Sequence, residues 1–485
     1  MRGKIVSCFV AAGIAMISFE TNAKRPAPEW LRSAVVYQIA LRNFTRGGNF
    51  KAATEMLEHV RSIGVDIIYL TPFVVADRDM DRSGWSKRQK ASGYDSPKNP
   101  YRISDYNKID PEYGREADLK AFMDKAHALD MKVLMDIVYV HCGPNNVIKD
   151  ILPDAFQKNP DGSVRTTMWR FPYINLESKA VRKYLIDSMI HWMRKGCDGF
   201  RCDIGCEAPV DFWEEARAAC IAENPNVVMI NEGSDLEWLE RAFDAQYACF
   251  WSYSVRSMLS PEAPSHAYAE GNTLAEKMSR VRQYEANVPA DSLLFCYLDN
   301  HDTAVDDDGN RFDMVRPVEA GNAAFVLTFL RRGLPLIFNG NEVADNAFSA
   351  MQAPVEHPLR ANKTVDWGRA LQPAGQKRLA HIRSLAKLRH EMPVFADGSQ
   401  EWVTDGEAKG VVSFVRRLGD VAVFVAANLT DKAVSFRMTG IRPIGEKPLL
   451  AEDGMLSGDG TCDLGAWGYV VWAVQPMHAW RSEGR

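Results

Sequence analysis

The sequence has 485 residues, of which 46% are hydrophobic and 25% are charged, and its formal net charge at pH 7 is -5. This composition is ordinary for a soluble globular protein and excludes a chain that is mostly disordered. The small net charge and the lack of a long basic run argue against a nucleic acid or an anionic membrane as partner, whereas a neutral ligand such as a sugar is compatible with them. The length suits a barrel enzyme with an added module.

The first 23 residues have the pattern of a secretory signal peptide. Arg2 and Lys4 precede an apolar stretch at 5–19, and Thr21-Asn22-Ala23 offers small residues for cleavage. The apolar stretch is short for a membrane span, and no later stretch looks transmembrane. We therefore expect an exported protein, secreted or periplasmic, without a membrane span. A buried N-terminal helix is disfavoured because the basic, proline-rich segment 24–28 follows.

Short apolar runs then alternate with amphipathic stretches, which is the pattern of a parallel α/β sheet. Eight strands are predicted, at 35–40, 66–70, 132–140, 199–203, 227–231, 247–251, 293–298 and 334–338. Helices are predicted at 52–63, 116–128, 179–195, 210–222, 236–243, 274–284, 320–330 and 376–390. Eight strands with intervening helices favour a closed (β/α)8 TIM barrel over an open sheet.

Two parts of the chain depart from this alternation. Residues 142–177, after the third predicted strand, are polar and irregular, which indicates a short insertion. From about residue 395 the pattern changes to period-two alternation without helices, which is typical of an antiparallel β-sandwich. The predicted organisation is a signal peptide at 1–23, a barrel at 24–394 that includes the insertion, and an all-β domain at 395–485.

Three acidic residues, Asp203, Glu232 and Asp302, end or closely follow predicted strands. A carboxylate at the C-terminal tip of a barrel strand points into the mouth, where that fold keeps its chemistry. Two facing carboxylates, a nucleophile and a proton donor, are what cleavage of a glycosidic bond requires. Arg201 lies two residues before Asp203, so both side chains point to the same face of the strand and the cation favours the ionised carboxylate. Taken singly, each motif also fits a structural ion pair or a helix start.

The segments around Asp203, Glu232 and Asp302, together with Asp136-Ile137-Val138-Tyr139-Val140-His141, resemble the ordered sequence signatures of the α-amylase family of glycoside hydrolases. The resemblance covers roughly residues 30 to 395. It implies an exported retaining hydrolase of α-glucans or malto-oligosaccharides, with Asp203 as nucleophile, Glu232 as acid/base and Asp302 as the group that stabilises the transition state. It also places the short insertion where the family has its small second domain.

The same resemblance implies four substrate-binding residues. His141 would contact the primary hydroxyl of the sugar, and Tyr101 would stack on the reacting ring. Arg201 would hold the nucleophile, and His301 would stand beside Asp302. Transglycosylases and α-glucosidases of the same family share these motifs and stay open as alternatives, and a non-catalytic carbohydrate-binding homologue is a third.

The chain departs from the family pattern at the structural calcium site. Val140 stands where many amylases have a calcium-ligating Asn, and Cys206-Glu207 replaces a Lys-His pair. Calcium prefers several hard oxygen ligands. We therefore predict no metal and no other cofactor, although a structural calcium is the alternative.

The cysteines show no CxxC pair, so a zinc site is not indicated. Free buried thiols are the default interpretation. A disulfide between Cys142 and Cys206, which follow neighbouring predicted strands, is a weaker hypothesis.

Overall fold

The computed structural model describes residues 26–259, 267–303, 311–347 and 364–475, and the predicted signal peptide lies outside them. The strands are β1 (Val36–Ile39), β2 (Ile67–Leu70), β3 (Val74–Ala76), β4 (Ile103–Ile109), β5 (Lys132–Ile137), β6 (Gly199–Cys202), β7 (Val228–Asn231), β8 (Ala245–Tyr247), β9 (Leu293–Cys296), β10 (Leu334–Phe338), β11 (Ser399–Val403), β12 (Val411–Leu418), β13 (Val421–Asn428), β14 (Val434–Arg437), β15 (Leu450–Leu456) and β16 (Thr461–Val474). The α-helices are α1 (Leu41–Phe44), α2 (Phe50–Glu55), α3 (Leu57–Ser62), α4 (Lys87–Ala91), α5 (Glu116–Ala128), α6 (Ile148–Ile151), α7 (Lys179–Arg194), α8 (Val210–Glu223), α9 (Leu236–Arg241), α10 (Cys249–Leu259), α11 (Leu274–Glu285), α12 (Phe312–Val315), α13 (Val318–Leu330), α14 (Pro373–Glu391) and α15 (Pro393–Asp397).

Eight strands, β1, β2 and β5 to β10, form a closed parallel barrel. Each pairs with the next of these strands along the chain, and β10 returns to pair with β1. Strands such as β2 and β6 are buried at every position, as expected when helices cover the outer face of a parallel sheet. The predicted (β/α)8 barrel is confirmed.

The sixth barrel strand differs from its prediction at 247–251. The strand is β8, which ends at Tyr247, and the following residues begin α10. Periodicity cannot separate strand from helix within an apolar run as short as 247–251. The helical spacing becomes visible only with the buried residues Trp251, Val255 and Leu259, which recur every four positions.

Two segments stand at the carboxyl end of the barrel. The antiparallel pair β3–β4 follows β2, and the segment 142–177 follows β5. That segment contains α6 and the isolated bridge Thr166↔Pro172, and a second bridge joins its Tyr173 to His141. The backbone N–H of Gly143 donates to the carbonyl of Ile103 over 2.7 Å, which ties the two segments together beside the mouth.

The C-terminal strands β11 to β16 form an antiparallel sheet, so the predicted all-β module is confirmed. One face of this sheet encloses a separate apolar core, and the other packs on the barrel. The contact runs through α13, which lies against β10, β13 and β16. Eleven of the 13 residues of α13 are buried, because this helix has protein on every side.

The eight cysteines of the described residues are free thiols. The hypothesis of a Cys142–Cys206 disulfide is therefore wrong. The two side chains have different surroundings. Cys206 packs against Gly233, whereas Cys142 adjoins Asp77. Within the described ranges, no helix has the length and apolar character needed to cross a bilayer.

Candidate active site

Arg201, fully buried on β6, joins three carboxylates. Its Nη1 donates to Asp136 at 2.8 and 2.9 Å and to Oδ1 of Asp203 at 2.9 Å. Its Nη2 lies 2.6 Å from Oε2 of Glu232. Strand register explains the arrangement, because β5 places Asp136 opposite Arg201, and Glu232 directly follows β7, the next strand of the barrel.

Asp203 has the environment of an ionised carboxylate. Its Oδ2 lies 3.3 Å from Nε2 of His141, and 9% of its side chain is exposed. Burial raises its pKa, but the hydrogen bond from His141 and the charge of Arg201 outweigh burial and hold the pKa below its usual range. Asp203 is therefore ionised at neutral pH, as a carboxylate nucleophile must be.

Glu232 has the opposite protonation behaviour. Burial raises its pKa to about 8; the charge of Arg201 opposes this shift, and Asp203 and Asp302 reinforce it. The backbone N–H of Ile204 donates to its Oε2 at 2.8 Å. Ile204 has a φ of 35°, a left-handed conformation that costs a β-branched residue about 1–3 kcal/mol. Two neighbouring carboxyl groups, one with a lowered pKa and one with a raised pKa, are typical of a nucleophile next to a general acid.

His301 and Tyr101 form the other side of the site. Their rings stack with centroids 5.1 Å apart and an interplanar angle of 10°. Nε2 of His301 lies 3.3 Å from Oδ2 of Asp302, whose side chain is 35% exposed and therefore open to a ligand. The hydroxyl of Tyr101 donates to Asp136 at 2.7 Å, which links this side to Arg201. The structure thus brings all the sequence-predicted site residues into one connected group.

Sequence reasoning missed three buried residues of the barrel strands that contact this group. Gln38 on β1 binds His301, and the hydroxyl of Tyr69 on β2 donates to Asp136 at 2.7 Å. The ring of Tyr247 on β8 lies 5.2 Å from the guanidinium carbon of Arg201, a cation–π contact. The signal in the sequence that could have identified these residues is a polar side-chain atom within an otherwise apolar strand.

The tip of the segment 142–177 also reaches the site. The indole of Trp169 is half-buried, with its ring centroid 6.0 Å from that of His141. Its backbone N–H donates to the hydroxyl of Thr167 at 3.2 Å, and the next residue, Arg170, has a φ of 65°. Nη1 of Arg170 donates to the carbonyl of Ser83 at 3.2 Å, which anchors the tip to a neighbouring loop. Aromatic faces of this kind suit the apolar faces of sugar rings.

The residues at the expected calcium position do not fit that ion. The carbonyl of Val140 already accepts the backbone N–H of Ile174 at 3.0 Å. Glu207 accepts the hydroxyl of Tyr173 at 3.2 Å, and the guanidinium of Arg165 lies 4.8 Å from the ring of Tyr173. All five residues line one cavity of about 200 Å³. A cavity lined by one carboxylate and one arginine side chain is a poor match for calcium, because calcium takes several hard oxygen ligands. Among the described residues, no cluster of three or more His, Cys, Asp or Glu is arranged to hold a metal.

Comparison with known proteins gives one consistent result. A family model described as the alpha amylase catalytic domain matches residues 18–161 and 163–370. Neopullulanase 2 of Thermoactinomyces vulgaris is 25% identical over 461 residues, which covers 83% of this chain and 70% of the relative. Intracellular maltogenic amylase of Bacillus subtilis (strain 168) is 25% identical over 441 residues, covering 81% and 68% respectively. The crystal structure of a noncanonic maltogenic alpha-amylase, AmyB, from Thermotoga neapolitana matches with a TM-score of 0.76 and 22% identity, covering 92% of this chain and 100% of that one.

Proposed function

The chain belongs to the α-amylase family of glycoside hydrolases, and from this premise we propose that it is a retaining hydrolase of α-glucans or malto-oligosaccharides. The observation that carries the proposal is the pair Asp203 and Glu232, whose pKa values are displaced in opposite directions around Arg201. The substrate class is supported by relatives whose names are neopullulanase, maltogenic amylase and cyclomaltodextrinase.

The proposed reaction is a double displacement. Asp203 attacks the anomeric carbon and forms a glycosyl ester while Glu232 donates its proton to the departing glycosidic oxygen. Glu232, now ionised, takes a proton from a water molecule. The oxygen of that water then attacks the anomeric carbon and displaces Asp203. Asp302 binds ring hydroxyls, and these hydrogen bonds strengthen as the oxocarbenium ion forms. In this proposal Tyr101, His141 and His301 hold the sugar in the same pocket.

Two further parts of the proposal have separate supports. Calcium independence is supported by the donor set around Val140, in which Arg165 already supplies a cation. Export to the periplasm or medium is supported by the pattern of residues 1–23. N-terminal sequencing of the protein recovered from each compartment tests the export proposal.

Product analysis tests the proposed activity. Purified protein is incubated with soluble starch, maltotriose, isomaltose and sucrose, and the products are identified by chromatography. Shorter malto-oligosaccharides or glucose, absent with Asp203→Asn, are the expected result. Products longer than the substrate would identify a transglycosylase. A lack of turnover on every substrate would contradict the hydrolase proposal.

A further inference from the structure

Gln38 and His301 make a two-point contact inside the barrel. Both are buried, and they lie 263 residues apart in the chain. Nε2 of the Gln38 amide lies 2.7 Å from Nδ1 of the His301 ring. The backbone N–H of His301 donates to Oε1 of the same amide at 3.2 Å.

The two contacts together determine the protonation of the ring. An amide oxygen accepts and an amide nitrogen donates, so the bond from the His301 backbone identifies which end of Gln38 is the oxygen. The other end, the nitrogen, must donate to Nδ1, and Nδ1 therefore carries no proton. In a neutral ring the proton is then on Nε2, which lies 3.3 Å from Oδ2 of Asp302.

We propose that Gln38 is a positioning residue that fixes His301 in the tautomer with its proton on Nε2. Stacking on Tyr101 fixes the plane of the ring, and Gln38 fixes its protonation and its rotation within that plane. The N–H of His301 is then presented to Asp302 and to a sugar hydroxyl beside it. This consequence for catalysis rests on the proposed hydrolase function, whereas the tautomer itself does not.

The substitution Gln38→Glu changes one group, because it replaces the amide nitrogen by an oxygen and keeps an acceptor for the His301 backbone. A carboxylate at this position cannot donate to Nδ1, so Nδ1 should acquire a proton. Nitrogen NMR of histidine-labelled protein without substrate reads this directly, and His301→Asn identifies the His301 signals. We expect Nδ1 of the wild-type ring to be unprotonated and Nδ1 in Gln38→Glu to be protonated. A protonated Nδ1 in the wild-type protein would overturn the proposal.

Kinetics give an independent readout. Gln38→Glu should lower kcat/KM on maltotriose by about 10- to 100-fold, mainly through kcat, which is the range found when partners that orient metal-ligating histidines are removed. Gln38→Met removes both hydrogen bonds without adding a carboxyl, so it should populate both tautomers and also lower kcat. Wild-type kcat in a folded Gln38→Met protein would contradict the positioning role.

Gln246→Glu is the matched control, because Gln246 is also a fully buried barrel amide, on β8, and binds the hydroxyl of Tyr284. It should lower the melting temperature while leaving the His301 signals and kcat unchanged. The two proposals can fail separately. Absent turnover on all glucosides would count against the hydrolase function, whereas the NMR spectrum of the free protein would still decide the tautomer.

Discussion

Nη2 of Arg201 lies 2.6 Å from Oε2 of Glu232 but does not have the alignment of a hydrogen bond. Arg201 therefore acts on Glu232 through its charge, while its Nη1 is engaged by Asp136 and Asp203. One guanidinium cannot balance three ionised carboxylates in a buried site. Burial raises the pKa of Glu232 to about 8 and that of Asp136 to about 7, so the excess negative charge is relieved by protonation.

The first prediction concerns the pH dependence of kcat/KM. Glu232 must be protonated to act as acid, so kcat/KM should fall as the pH rises through about 8, where Glu232 loses its proton. Asp203 must be ionised, so the acid limb should lie below the usual range of an aspartate. In Glu232→Gln, assayed with an activated aryl α-glucoside, the alkaline limb should disappear. An unchanged alkaline limb in that variant would assign it to another group.

The second prediction concerns the nucleophile. Asp203→Asn should lower kcat by about 10⁴-fold or more on every substrate, because no covalent intermediate can form. In the wild-type enzyme the first product should be the α-anomer, and the two carboxyls should lie about 5–5.5 Å apart, as in retaining enzymes. NMR during the first minutes of hydrolysis gives the anomer. An initial β-anomer would rule out the assigned roles.

The third prediction concerns rescue of the acid/base variant. Glu232→Gln should keep its first step with a good leaving group, since that step needs little proton donation. Azide needs no general base, so it should restore turnover and yield an α-glycosyl azide. Asp302→Asn is the comparison, because it should stay impaired with activated and natural substrates alike. Failure of azide to change the rate or product of Glu232→Gln would remove Glu232 from this role.

The fourth prediction concerns calcium. Activity and melting temperature should be unchanged after dialysis against a chelator, because the cavity at the expected position is lined by Arg165 and the carbonyl of Val140 there already accepts a backbone hydrogen bond. Differential scanning calorimetry with and without added calcium measures this. A large, calcium-reversible fall in melting temperature would show that other oxygens bind the ion.

The fifth prediction concerns Trp169, whose half-buried indole stands beside His141. Trp169→Ala should raise KM for malto-oligosaccharides by about tenfold, roughly 1.4 kcal/mol, with little change in kcat, because stacking binds substrate and transition state alike. Trp169→Phe keeps an aromatic face and should recover most of the affinity. Equal loss in both variants would indicate a structural role for the indole.

Much of the site could be predicted because its carboxylates follow apolar strands, and neighbouring parallel strands end at the same edge. Cys202 pairs with Asn231, which brings the residues after them, Asp203 and Glu232, together. The contact between Gln38 and His301 could not be predicted in this way. It joins β1 to the segment after β9, which is not a neighbouring strand of the barrel, and it depends on side-chain rotation, which leaves no local pattern in the sequence. The bounds of the sixth strand were wrong for a different reason, since its three residues are too few to show a period.

The burial of α13 on every side bears on whether the barrel and the C-terminal sheet can fold independently of each other. A helix without a polar face is not stable when exposed to water, and here the C-terminal sheet packs against one side of α13 and buries it. A chain ending at Asp397 would expose that side and should aggregate rather than yield a free barrel. The C-terminal strands and the barrel thus form one folding unit, and any exchange of these strands alone would have to preserve the surface that faces α13.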